Sequence, residues 1–198
     1  MPEPRILAVL DDLAALIGAT TPEQDELPTP CTGLTVAGLR RHLLGGVQYF
    51  TVALADPTGG RRPDPRAYTG SDAPAVVSSR IRTLVGTVRF TLAERGEDAP
   101  VHVPELVGTV PAGRAIGLLL AETLVHGWDL SRALDRPWSP EPEASEQAHA
   151  ALADTIQPEF RGGEGMPFAP ELPVPADASA LERLLAFAGR PVEWTPAR

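Results

Sequence analysis

The 198-residue chain contains no lysine, no asparagine and a single cysteine. The missing lysine excludes a Schiff-base lysine, a phosphate-loop lysine and a lysine general base. One cysteine excludes an intrachain disulfide framework and a cysteine-rich zinc site. All 17 basic residues are arginines against 26 acidic residues, and the net charge of −9 argues against a nucleic-acid partner. A functional site must therefore be built from four histidines, the carboxylates, the arginines and a few hydroxyls.

Long hydrophobic runs are also missing. No apolar stretch approaches the roughly 20 residues that span a bilayer. Residues 1–18 carry Glu3, Asp11 and Asp12 and show no signal-peptide pattern. We therefore expect a soluble, cytoplasmic protein that does not contact a membrane.

Apolar residues recur at helical spacing through most of the chain, whose length suits one domain. We expect Thr35 to cap the second helix, and Ser71 or Asp72 to cap the third. Residues 101–110 alternate weakly, as in a small hairpin. The prediction is an all-α fold, a four-helix bundle with additional C-terminal helices and at most one small β-hairpin. The predicted helices cover about 5–18, 36–55, 73–95, 111–134, 139–156 and 177–189.

Prolines and glycines concentrate beyond the fifth predicted helix. We assign residues 1–157 to the bundle, and expect 158–198, a Pro/Gly-rich loop and a short helix, to pack on the same domain. The loop at 157–176 lacks the strand and helix that flank a phosphate-binding loop. It is long enough to cover the mouth of a site.

Three ionisable residues share one face of the fourth predicted helix. At about 100° per residue, Glu122, His126 and Asp129 fall within an arc of about 60°. The same face carries the apolar residues expected to point into the bundle. Charged groups there are unfavourable unless they are paired, hydrogen-bonded or bound to a metal ion.

A further ligand is predicted from the second helix. His42 shares its face with mostly small or apolar residues, so we expect this face to be interior as well. Two imidazoles and one carboxylate suit a zinc ion with an open fourth position. The residues alone leave a second interpretation open: both histidines are satisfied core residues, and Glu122 pairs with an arginine.

Two stretches carry a family resemblance. LPTPCTGLTV at 27–36, followed by LRRHL at 39–43, is similar to the start of the second helix of the DinB-like fold. It more closely resembles the metal-binding domain of mycothiol-dependent maleylpyruvate isomerases and their actinobacterial relatives. ETLVHGWDL at 122–130 matches the fourth-helix signature of that group, and the tail from Phe168 to Trp194 resembles the ending of a short, single-domain branch.

The resemblance implies a divalent metal, usually zinc, held by His42, Glu122 and His126. It also marks Asp129 as a residue that supports a ligand or acts in acid–base catalysis. The isomerases carry an additional C-terminal domain that helps to form the substrate site. We expect this chain, with a short tail after residue 157, to lack that domain, so the isomerase substrate does not transfer with the fold.

A metal with an open position can bind and deprotonate a thiol. We therefore expect a mycothiol-type thiol as cosubstrate and a small electrophile as its acceptor, in an S-transferase or isomerase. Arg82 and Arg89 are weak candidates for binding an anionic substrate. The alternative is a non-catalytic bundle, stabilised by metal or binding a small molecule, that serves as a sensor or interaction module. A homodimer stays open in either case.

Four other residues attract attention but are not assigned to the site. We expect Cys31 to be a small buried hydrophobe, because a fixed pairing with His42 would require its loop to fold back. His102 and His149 are expected at the surface, and Trp128 in the packing.

Overall fold

The computed structural model describes residues 4–56, 58–61, 70–104, 108–156, 158, 161–162 and 169–195. Its helices and its antiparallel strands, which pair Val101 with Val110, confirm the prediction of an all-α fold with one small hairpin. The elements are α1 (Arg5–Gly18), α2 (Val36–Ala55), α3 (Pro74–Arg95), β1 (Pro100–Val103), β2 (Gly108–Pro111), α4 (Ala112–Ala133), α5 (Pro142–Ala153) and α6 (Ala180–Phe187), and a 3₁₀ turn lies at Pro22–Gln24.

The first four helices form a bundle in which α1 and α2 each pack against α3 and α4. The helix α5 covers another side of α4, and α6 packs on α5. These neighbours and the hairpin enclose α4, so this helix is buried on nearly every face. Its residues are accordingly mostly apolar. None of the described helices is long and apolar enough to cross a bilayer.

Most helix ends lie close to their predicted positions. Thr35 caps α2 as expected, its hydroxyl accepting a hydrogen bond from the amide of Gly38 at 3.3 Å. The predicted cap of α3 at Ser71 or Asp72 is wrong. That helix follows Ala73 with no side-chain cap, and a proline at its first position has no amide hydrogen to satisfy.

The last two helices are shorter than predicted. The helix α5 starts at Pro142 rather than Ser139, and α6 starts after a capping box formed by Ser179 and Glu182. Much of the loop predicted at 157–176 lies outside the described residues.

A buried arginine attaches the segment before α2 to the bundle. Arg40 is 4% exposed and donates to both carboxylate oxygens of Asp25, at 2.8 and 3.3 Å. Its Nε also donates to the backbone carbonyl of Asp72, at 2.7 Å. One guanidinium thus holds both the loop leading into α2 and the segment leading into α3.

A close contact between Gly127 and Trp138 holds the segment after α4 against that helix. An added Cβ at Gly127 would lie 2.2 Å from Cζ2 of Trp138, well inside van der Waals contact. The glycine within the HGWD stretch is therefore required by packing, because the indole lies directly on the helix backbone.

We expect Gly127→Ala to lower the free energy of unfolding by about 1–3 kcal/mol, since overpacking displaces the indole. Gly86→Ala in α3 is the matched control, because its added Cβ meets nothing within 4 Å. The control should raise stability by up to about 1 kcal/mol through helix propensity. Urea denaturation of both variants measures the difference, and equal effects would contradict the packing role of Gly127.

Candidate metal centre

The structure brings together the three residues predicted as metal ligands. His42 lies in α2, and Glu122 and His126 lie one turn apart on the neighbouring α4. Oε1 of Glu122 is 3.0 Å from Nε2 of His42 and 3.5 Å from Nε2 of His126. One donor atom from each residue lies within 4.8 Å of the other two. This cluster of donors is called the candidate metal centre below.

Exposure falls steadily from one side of the centre to the other. The side chains of His42, Glu122, His126 and Asp129 are 46%, 31%, 9% and 0% exposed. The expectation that His42 faces the interior is therefore wrong. Since α2 packs more extensively on α3 than on α4, His42 lies at the rim of the bundle, and the centre is accessible from solvent on that side.

The two imidazoles keep Glu122 ionised. Burial alone would raise the pKa of this carboxyl, but the charge of His126 and the hydrogen bond and charge of His42 lower it to about 2. The same hydrogen bond to Glu122 raises the pKa of His42, against the opposing effect of burial. Above pH 4.5 the centre therefore presents an ionised carboxylate to any cation.

The tautomer of His126 follows from its other neighbour. Nδ1 of His126 is 2.9 Å from Oδ2 of Asp129, a carboxylate oxygen that also accepts hydrogen bonds from Arg190. Oδ2 is therefore an acceptor and Nδ1 must be the donor. The lone pair of a neutral ring then lies on Nε2, which faces the carboxylate of Glu122 at 3.5 Å. Two electron-rich atoms facing each other favour a cation between them, and in this sense the donor set fits a divalent metal.

Sequence reasoning missed Arg190, which belongs to the tail after α6. Its guanidinium binds both oxygens of Asp129, at 3.1 and 3.2 Å. Arg82 and Arg89, the arginines considered from the sequence, are exposed on α3, and Arg82 donates to the hydroxyl of Ser78 at 2.7 Å. The sequence signals for Arg190 were the preceding glycine, a common residue at the end of a helix, and its place in the tail that resembles the short single-domain branch.

The expectation for Cys31 is incomplete, because its loop does fold back. The amide of Leu34 donates to the carbonyl of Cys31 at 3.0 Å, closing a turn whose third residue, Gly33, has φ +83°. Sγ thereby comes within 4.8 Å of donor atoms of His126 and Asp129. The residue is half-buried and packs on the core, and burial raises the pKa of its thiol to about 11.

The other residues set aside from the site lie apart from it. His102 bonds to the hydroxyl of Thr109 across the hairpin, at 2.7 Å. His149 is half-buried rather than exposed, because its ring packs on Phe187 at 4.9 Å between centroids. Trp128 is 7% exposed and belongs to the core, as predicted.

The model of the mycothiol maleylpyruvate isomerase N-terminal domain family matches residues 6–131, a range that runs from the second residue of α1 through β2 and nearly all of α4. This chain belongs to that family. The prediction of its family from the stretches at 27–43 and 122–130 is thus confirmed.

Two curated relatives come from Mycobacterium tuberculosis: the uncharacterized protein MT0763 of strain CDC 1551 / Oshkosh and the uncharacterized protein Rv0738 of strain H37Rv. Each is 33% identical over 183 residues, which cover 92% of this chain and 93% of the relative. The similarity therefore extends past residue 131, where the match to the family model ends. No solved structure matches the chain significantly.

We expect acid to destabilise the wild-type fold partly through Glu122. Because its pKa is about 2 in the folded protein and ordinarily 4.5, its contribution is complete above pH 4.5 and lost as pH falls toward 2. With a chelator present, the free energy of unfolding of Glu122→Gln should therefore fall less steeply between pH 4.5 and 2.

Urea titrations across this pH range provide the measurement. Glu146→Gln is the control, since its side chain is 61% exposed on α5. That variant should follow the wild-type slope. Parallel curves for all three proteins would contradict the coupling of Glu122 to the two histidines.

Proposed function

We propose that this protein binds a divalent metal ion, zinc in the first instance, through His42, Glu122 and His126. The convergence of their donor atoms within 4.8 Å is the observation that carries the proposal. Two imidazoles and a carboxylate are a ligand set of catalytic zinc sites, in which a fourth position is left for water or substrate. The half-exposed His42 puts that position on the solvent-accessible side.

We further propose that the open position takes the thiol of mycothiol or a similar small thiol. Family membership supports this choice, because the family's description names mycothiol. A divalent ion supplies one function when bound, which is to lower the pKa of a coordinating thiol so that it is present as thiolate. The chain's own cysteine does not replace this thiolate, because the half-buried Cys31 has a pKa of about 11 and is a poor nucleophile at neutral pH.

The reaction class follows from a thiolate held at the solvent-accessible side of the candidate metal centre. With an α,β-unsaturated acid, sulfur adds to one carbon of the double bond, the resulting single bond rotates, and elimination of the same thiolate restores the alkene as its other isomer. With an aryl halide, a carbon–sulfur bond forms, the carbon–halogen bond breaks, and halide leaves. Among the residues of the chain, Asp129 orients His126 through Nδ1, and Oε1 of Glu122 lies 3.0 Å from Nε2 of His42.

We expect untagged protein to purify with close to one zinc per chain, and His42→Ala/His126→Ala to contain almost none. His102→Ala/His149→Ala is the matched control, because it removes the same number of imidazoles outside the centre. It should retain the wild-type zinc content. Elemental analysis by mass spectrometry gives the answer, and equal metal content in the two double variants would refute the assignment.

We expect the zinc protein to accelerate the reaction of mycothiol with 1-chloro-2,4-dinitrobenzene, measured as release of chloride. Glu122→Gln should abolish the acceleration, and Glu146→Gln should preserve it. Turnover that survives Glu122→Gln, or no turnover with this acceptor and with maleylpyruvate, would refute the enzymatic proposal.

A non-catalytic, metal-stabilised bundle is the second candidate, and the position of Cys31 is the observation that favours it. Its Sγ lies near donor atoms of His126 and Asp129, so the thiol could close the fourth position. Cobalt substitution separates the two functions. A sulfur-to-cobalt absorption band that appears only after mycothiol is added supports the open site. A band present without added thiol, and lost in Cys31→Ala, supports the closed site.

A further inference from the structure

The end of α6 directs Arg190 toward the candidate metal centre. The amide of Gly189 donates to Ala186 at 2.9 Å, and the amide of Arg190 donates to Leu185 at 2.8 Å, which is a Schellman motif. Gly189 has φ +75°, and an added Cβ would lie 2.6 Å from that of Ala169. Glycine is therefore required here, and the turn it makes returns the chain toward α4.

The guanidinium of Arg190 binds Asp129 as a fork. Nε lies 3.1 Å from Oδ1 and 3.2 Å from Oδ2, and Nη2 lies 3.2 Å from Oδ2. A further nitrogen, Nη1, donates to the carbonyl of Ala188 at 3.2 Å, which restricts the arginine itself. Arg190 is 16% exposed and Asp129 is 0% exposed, so water does not screen the pair strongly.

Oδ2 of Asp129 accepts hydrogen bonds from Arg190 and from Nδ1 of His126. Contacts from two nitrogens of one planar guanidinium fix the plane of the carboxylate, and the carboxylate in turn fixes the plane of the imidazole. Without the arginine, the carboxylate could rotate away from Nδ1, and the ring proton could move to Nε2. A proton on Nε2 blocks the lone pair that a metal ion needs.

We propose that Arg190 is a positioning residue of the candidate metal centre: through Asp129 it holds His126 in the tautomer that leaves Nε2 free for the metal. Arg190 lies beyond residues 6–131, the range that the family model matches. The tail after α6 therefore completes a centre whose ligands all come from α2 and α4. The inference rests on the proposed metal site, but the tautomer of His126 can be measured without metal.

A purely structural role for Arg190 would consist of anchoring the tail. Arg132 provides the comparison, because its Nη2 donates to the backbone carbonyl of Trp194 at 2.9 Å. It lies on α4, three residues after Asp129, and holds the same tail through one guanidinium, but it contacts a backbone carbonyl rather than the carboxylate of Asp129. Arg132→Ala thus weakens the attachment of the tail and leaves the fork on Asp129 in place.

The experiment compares Arg190→Ala, Arg190→Lys and Arg132→Ala with wild type. Zinc affinity is measured by competition with a chromogenic chelator, and helix content by circular dichroism. In metal-free, ¹⁵N-labelled protein at one fixed pH, long-range ¹H–¹⁵N spectra report which ring nitrogen of His126 carries the proton.

We expect zinc affinity to fall about 10- to 100-fold in Arg190→Ala, the usual effect of removing a residue that supports a ligand. Arg132→Ala should stay within about threefold of wild type, as surface substitutions do. Arg190→Lys should fall between them, because one ammonium cannot bind both carboxylate oxygens in a fork. In the metal-free protein, the proton should lie on Nδ1 in wild type and Arg132→Ala, and partly on Nε2 in Arg190→Ala.

Two results would overturn the inference. One is wild-type tautomer and wild-type affinity in Arg190→Ala; the other is an equal loss of affinity in Arg190→Ala and Arg132→Ala, which would assign the effect to the tail. If Arg190→Ala does not fold, the comparison uses Arg190→Lys, and wild-type affinity in that variant also contradicts the proposal. Should wild type bind no zinc, the proposed function fails, and the spectra of metal-free protein still decide the role of Arg190.

Discussion

The carboxylate of Asp129 is the group on which the centre depends. It is fully buried, and a buried carboxylate is strongly unfavourable unless hydrogen bonds and an opposite charge compensate for lost hydration. Those partners are His126, which precedes Asp129 by three residues on α4, and Arg190 in the tail. The burial of α4, the path of the tail and the orientation of a predicted metal ligand are therefore interdependent.

Helical periodicity was sufficient to predict the part of the site that belongs to one helix. Glu122, His126 and Asp129 share a face because of the geometry of α4 alone, so their proximity follows from their spacing. Arg190 and Cys31 could not be placed in this way. Each reaches the centre through a turn at a glycine with positive φ, Gly189 and Gly33, and such turns set a direction that no periodic pattern contains.

The position of His42 shows another limit of sequence patterns. Apolar neighbours on its helix face predicted an interior side chain, yet the helix face alone does not say how closely a second helix approaches. In the structure α2 packs more extensively on α3 than on α4, so His42 lies at the rim of the bundle. Likewise, no sequence pattern explains the glycine of the HGWD stretch. It is required because Trp138 packs directly on Gly127. Contacts between distant segments decide both cases.

The graded exposure of the centre makes its ligands unequal. His126 is held on one side by Asp129 and enclosed by the bundle, whereas the ring of His42 is nearly half in water. For the proposed metal site, this gradient predicts that an ion or a competing chelator enters from the side of His42 and that His126 is the last ligand to be released. For the proposed metal site we therefore expect His42 to affect mainly the rate of metal exchange, and His126 mainly the strength of binding.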